Sequence, residues 1–113
     1  MNYWTMPSQK DNVKTTKEML KHAETIIEKV SEYYKIQIKD IKGRSRKREF
    51  VKARFISMYL IRNNTSLKLK TIGDIVGRDH TTVLHSLQTI QNTLSLHYDT
   101  DLKDELNEIK RII

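Results

Sequence analysis

Apolar side chains recur at three- and four-residue steps through most of this chain, the spacing of helices that bury one face. The first stripe runs through Met19, Leu20, Ala23, Ile26, Ile27, Val30, Tyr33 and Tyr34 and predicts a helix of about five turns. Thr15-Thr16-Lys17-Glu18 has the capping-box form at its start, a hydroxyl and a Glu side chain that together satisfy two orphan N–H groups. Ile36, Ile38 and Ile41 follow; they alternate like a strand but are too few and too solitary to pair, and read as a turn or short helix packing its isoleucines inward. Glu49 to Arg62 forms the next helix, with Val51, Phe55, Met58 and Tyr59 on its buried side and Leu60 and Ile61 as further candidates. Asn63-Asn64-Thr65-Ser66 ends it, because these residues favour turns and caps over helix interiors. Two more helical pieces follow, Leu69 to Val76 and Asp79 to about His97, divided by Gly77. Asp99-Thr100-Asp101 caps a last helix with Leu102, Leu106, Ile109 and Ile113 on one face. Residues 1–14 are polar and show no periodicity, which leaves them as a flexible N-terminal arm and leaves open whether Tyr3 and Trp4 dock on the domain. The expected fold is therefore all-α, a helical bundle spanning residues 15–113 as one domain.

A short helix, a glycine turn and a longer helix form the helix-turn-helix arrangement, whose second helix enters the major groove of DNA. Ile72 and Val76 supply a core face, Gly73 permits close approach of the second helix, and Gly77 supplies a turn that favours a left-handed backbone. The second helix is expected to bury Val83, Leu84, Leu87, Ile90 and Leu94. That leaves Asp79, His80, Thr81, Thr82, His85, Ser86 and Thr89 as a polar surface weighted toward its N-terminal end. Short polar side chains let a helix sit deep in the groove, a threonine methyl can meet the thymine methyl, and an aspartate can accept from a base amino group. Singly, each residue has an equally good structural reading: Asp79 as an N-cap, Thr81 and Thr82 as first-turn residues, His85 as a half-buried ring bonded to a carbonyl.

Charge sharpens this picture. The chain carries 21 Lys and Arg against 14 Asp and Glu, a net charge of +7. Between Lys35 and Lys70 twelve basic residues face only Asp40 and Glu49, so the excess is concentrated there and the remainder is slightly acidic. The densest run, Arg44, Arg46, Lys47 and Arg48, continues into Lys52 and Arg54; so tight a one-signed run suits phosphate contacts better than mere solubility. Other classes fall away. With no cysteine there is no disulfide scaffold, thiolate metal site or cysteine nucleophile. The four histidines do not form an H-E-x-x-H site, no G-x-S-x-G elbow presents a serine, and no phosphate-binding G-x-x-x-x-G-K loop is present. The expectation is no enzyme, no catalytic residue, no cofactor and no metal. No run nears the roughly 18 apolar residues of a membrane span, and the N-terminus lacks a signal-peptide pattern, so a cytoplasmic protein is expected. Aromatic residues are only 7%, which argues against an RNA module built on exposed stacking rings.

The run Gly77-Arg78-Asp79-His80-Thr81-Thr82-Val83-Leu84-His85 closely resembles the signature of the C-terminal DNA-binding domain of the bacterial replication initiator DnaA. The likeness extends to Ile27–Asp40, to Ser45-Arg46-Lys47-Arg48 with Lys52-Ala53-Arg54 through Leu60, and to Ile72-Gly73-Asp74, covering about residues 20–113. The resemblance implies a Trp-repressor-like helical fold that binds short, asymmetric, A/T-rich boxes in double-stranded DNA. It implies that Arg78 contacts phosphate or base, that Asp79, His80 and Thr81 read base edges, and that Thr82 and His85 hold the backbone. Lys52 falls where many members carry an arginine that enters the minor groove, with Arg54 or Arg48 as substitutes; lysine keeps the charge but lacks the planar fork. A second departure is the turn, where one glycine precedes Arg78 and members commonly have two. The implied protein is a DNA-reading domain standing alone, nucleoid-associated, a monomer on an asymmetric site, acting in replication initiation or its regulation. The rival readings are an adaptor or decoy that binds a replication initiator or another protein, for which the last helix offers a surface, and a transcriptional regulator.

Overall fold

The computed structural model describes residues 15–95 and 100–113. The described residues contain six helices and no strand: α1 (Thr16–Tyr34), α2 (Ile38–Lys42), α3 (Arg48–Asn64), α4 (Leu69–Val76), α5 (His80–Ser95) and α6 (Thr100–Ile112). The arm with Tyr3 and Trp4, the end of the second long helix at His97 and the capping role of Asp99 lie outside the described residues.

The capping box before α1 is formed. The Glu18 amide donates to Thr15 Oγ1 at 3.1 Å, and the Thr15 amide donates to Glu18 Oε1 at 3.4 Å. Ala23, Ile26, Ile27 and Val30 are fully buried on this helix, while Leu20 lies at the edge of the stripe and is exposed. The helix ends at Lys35 in a left-handed conformation, φ 56°; its amide reaches back to Glu32, and Ser31 Oγ donates to the Ile36 carbonyl. The isoleucines after it divide. Ile36 and Ile41 pack inward, but Ile38, at the first turn of α2, points to solvent.

The third helix is the hub, packed against α1, α2, α4 and α5. Its buried set is accordingly wider than one stripe and is rotated from the sequence expectation. Ala53, Arg54, Ile56, Ser57, Met58, Leu60 and Ile61 are buried, whereas Val51, Phe55 and Tyr59 are half-buried, the two aromatic rings against the edge of the core. Ser57 Oγ is satisfied inside the helix by the Ala53 carbonyl at 2.8 Å, as a buried hydroxyl must be.

The helix-turn-helix is α4, Gly77 and α5. Ile72, Gly73 and Val76 of α4 are buried against Val83, Ser86 and Ile90 of α5; burying each large aliphatic is worth roughly 1.5–3 kcal/mol. Two glycines make the corner. Gly77 stands at φ 74°, ψ 34°, a left-handed conformation that costs other residues roughly 1–2 kcal/mol. Gly73 lies so close to the turn that a Cβ there would come within 2.2 Å of the Arg78 carbonyl oxygen. On α5 the sequence expectation is corrected at two places: Leu84 is 43% exposed, and Ser86 is fully buried. Ser86 Oγ donates to the Thr82 carbonyl at 2.8 Å, which satisfies the buried hydroxyl within its own helix. Leu102, Leu106 and Ile109 seal α6 onto the core, and the Tyr34 and Tyr33 hydroxyls donate to Glu105 at 2.6 Å and Glu108 at 3.0 Å.

Candidate nucleic-acid interface

The N-terminal end of α5 is built by Asp79. Its Oδ1 accepts from the Thr82 amide at 2.8 Å and its carbonyl accepts from Val83 at 3.1 Å, the geometry of an N-cap. The bond from the Thr82 backbone, followed by that from its hydroxyl, holds the Asp79 carboxyl below its ordinary range. A charged, exposed cap therefore marks the start of the helix. His80, Thr81, His85 and Thr89 are exposed on the following turns, and Thr82 is half-buried. Leu84 belongs to the same surface, four residues after His80 and three after Thr81, so it falls on their side of the helix. Sequence reasoning assigned it to the core by its chemistry; its spacing from His80 and Thr81 was the signal that placed it outside.

The second cluster is the loop between α2 and α3. Arg44, Arg46, Lys47 and Arg48 are all exposed, and none is paired with an acid among the described residues. Lys47 lies over the Phe50 ring at 5.5 Å. Two members grouped with this run are placed differently. Lys52 ion-pairs with Glu105 at 3.0 Å and lies 5.9 Å from the Tyr34 ring centre, which turns it toward α6. Arg54 is only 4% exposed and corrects the expectation of a cation offered to DNA. Its Nε donates to the Ile41 carbonyl at 2.7 Å, and Nη2 to those of Asp40 at 3.0 Å and Ser45 at 3.2 Å. Burial, followed by the charge of Arg78, lowers its pKa from the ordinary arginine value.

Arg78 joins the two clusters. From the turn, its Nη1 donates to the Gly77 carbonyl at 3.0 Å and its Nη2 to that of Gly43 at 2.5 Å. The loop and the start of α5 are thereby neighbours across 35 residues of sequence. The result is a positively charged edge beside a helix N-terminus, an arrangement that favours phosphate through both the helix dipole and the exposed cations. Among the described residues no group of three His, Cys, Asp or Glu could hold a metal ion, and no helix is long and apolar enough to cross a membrane.

Comparison with known proteins gives the family. Residues 23–90 match the family model described as the bacterial dnaA protein helix-turn-helix. The chain is similar to the chromosomal replication initiator protein DnaA of Enterococcus faecalis, 43% identical over 89 residues that make up 78% of this chain and 20% of the relative. The DnaA of Crocosphaera subtropica is 44% identical over 87 residues, 76% of this chain and 19% of the relative. That of Chlorobaculum tepidum is 38% identical over 91 residues, 80% of this chain and 18% of the relative. The matched region spans about a fifth of the length of these relatives.

Proposed function

Since the chain belongs to the bacterial DnaA helix-turn-helix family, we propose that it binds double-stranded DNA sequence-specifically, at sites resembling DnaA boxes, in replication initiation or its regulation. The observation that carries this reading is the adjacency of an exposed recognition surface on α5 and an unpaired basic loop, bridged by Arg78 to Gly43. In the complex α5 lies in the major groove. His80 and Thr81 meet base edges, Asp79 accepts from a base amino group, and Leu84 packs on a thymine methyl. Thr82 and His85 hold the backbone on either side. Arg44, Arg46, Lys47 and Arg48 follow the phosphates toward the neighbouring minor groove. Lys52, whose side chain is 42% exposed in a part-buried pair with Glu105, joins them by exchanging Glu105 for phosphate. Arg78 bonds a phosphate or base with donors its carbonyl partners leave unused, a guanidinium having five. No step of this function needs a cofactor or bond-breaking chemistry, and a single copy suffices for an asymmetric site.

Fluorescence anisotropy of the chain on a labelled DnaA-box duplex, beside a scrambled duplex of equal composition at physiological salt, tests it. A preference of about a hundredfold or more is expected, a threshold set below the roughly 10³–10⁷ typical of specific readers. Equal affinity for both duplexes would leave only the loop's electrostatics. Absence of binding to either would refute the reading and favour a protein-binding adaptor.

A further inference from the structure

We propose that Arg54 is a positioning residue for DNA reading: together with Arg78 it fixes residues 40–45, the end of α2 and the start of the basic loop, against α3 and the helix-turn-helix, so that the loop's cations and the recognition helix meet DNA as one rigid body. The inference rests on the DNA-binding reading above, and adds to it a residue that touches no nucleic acid.

The two arginines hold one short stretch of chain from two different elements. Arg54 reaches up from α3 to the carbonyls of Asp40, Ile41 and Ser45, and Arg78 reaches across from the turn to that of Gly43. Four carbonyls in six residues are thus drawn inward. The side chains of Arg44 and Arg46 between and beyond them are left outside, where both are exposed. A guanidinium holds three carbonyls in a fixed relative geometry, because its donors lie in a planar fork; an ammonium also has three donors, but on a compact group that rotates freely. Neither arginine has a carboxylate within ion-pairing distance among the described residues. For stability alone this is a poor choice, since a buried guanidinium without a counter-charge carries a desolvation penalty. It makes sense where the loop must be ordered and its positive field kept facing outward. A carboxylate only accepts and could not hold these carbonyls; the donors must come from a cation or a neutral amide, and of the two the cation adds to the field that attracts phosphate. An ordered loop gives up less conformational freedom on binding, which raises specific affinity without adding a contact.

Arg54→Lys and Arg54→Met, with the wild-type chain, would be measured on box and scrambled duplexes across a salt series, at a temperature where circular dichroism shows each variant folded. The expected result for Arg54→Lys is a loss of preference for the box of about tenfold, the scale of one misplaced base contact, with affinity for the scrambled duplex retained. For Arg54→Met the slope of log K against log salt stays that of the wild type. A slope shallower by about one would make Arg54 a phosphate contact and overturn the proposal. Unchanged box preference in a folded Arg54→Lys would overturn it as well. If neither variant folds, amide relaxation of the free wild-type chain decides: order parameters near 0.85 for the 43–46 loop are expected, and values below about 0.6 would show no clamp. A wild-type chain without box preference defeats the DNA-reading proposal itself. The relaxation measurement then still judges the clamp alone.

Discussion

Replacing Gly73 with alanine tests whether the α4–α5 corner is as tight as the geometry makes it. The new Cβ would stand 2.2 Å from the Arg78 carbonyl oxygen, 3.2 Å from the Arg78 carbonyl carbon and 3.4 Å from that of Asp79. All three are backbone atoms, so no side chain can swing aside. Relief requires the turn to move by about 1 Å to reach ordinary carbon–oxygen contact. That movement strains the 2.7 Å bond from the Arg78 amide to the Gly73 carbonyl. Overpacking of this kind costs roughly 1–3 kcal/mol, and a weakened backbone bond adds about 0.5–1.5 kcal/mol. Against these stands a gain of about 1 kcal/mol for alanine over glycine inside a helix. The net expectation is destabilisation by roughly 1–3 kcal/mol, which for a domain of this size lowers Tm by about 5–20 °C. Thermal melting followed by circular dichroism at 222 nm measures it. The displaced turn also carries Asp79 and Arg78, so box preference falls in the fraction that remains folded. An unchanged or raised Tm would refute the reasoning, because it would mean that helix propensity outweighs the contact and that the corner has room.

Leu84→Ala leaves Tm within a few degrees, since the side chain is 43% exposed, yet lowers affinity for a box duplex several-fold; substituting uracil for thymine in the duplex should mimic the loss, and an equal loss on scrambled DNA counts against a methyl contact. The Asp79 carboxyl is held below its ordinary 3.8 by the Thr82 bonds, so its contribution to stability is full above that value and is lost as pH falls through the lowered one. Acid titration of Asp79→Asn should accordingly show a shallower fall in Tm below about pH 4 than the wild type, and parallel curves would contradict the cap's role. Burial and the Glu105 bond raise the Tyr34 pKa above its ordinary 10.0; its stabilisation is complete below pH 10 and declines as pH rises through the folded value, so Tyr34→Phe should flatten the alkaline melting profile. Six to eight phosphate contacts around the basic loop give log K against log salt a slope of about −5 to −7, and a slope shallower than about −3 would be incompatible with that footprint.

Much of the fold was legible in the sequence because its determinants are local. The capping box at Thr15 and Glu18, the bounds of α4 at Leu69 and Val76, and the turn at Gly77 depend on residues within a few positions of one another, and all three stand where the sequence places them. The concentration of cations between Lys35 and Lys70 is a property of composition and needs no structure to be seen. The surface of the candidate interface was mostly legible too: His80, Thr81, His85, Arg44, Arg46, Lys47 and Arg48 are exposed, because short polar residues on an amphipathic helix and charges in a loop have no other place to go.

What only the tertiary structure decided concerns residues whose surroundings come from distant parts of the chain. A single apolar stripe describes a helix packed on one side, and α3 is packed by four neighbours; Arg54 and Ser57 are therefore buried where periodicity pointed to Val51, Phe55 and Tyr59. Ser86 lies inside and Leu84 outside because the faces of α5 that are covered are set by its packing on α3 and α4, which the residue types of α5 do not encode. Lys52 and Arg54 sit two positions apart in one basic run, yet one meets Glu105 of α6 and the other the carbonyls of Asp40, Ile41 and Ser45. Charge is written in the amino-acid sequence; which partner a charge finds depends on long-range packing that no local pattern encodes.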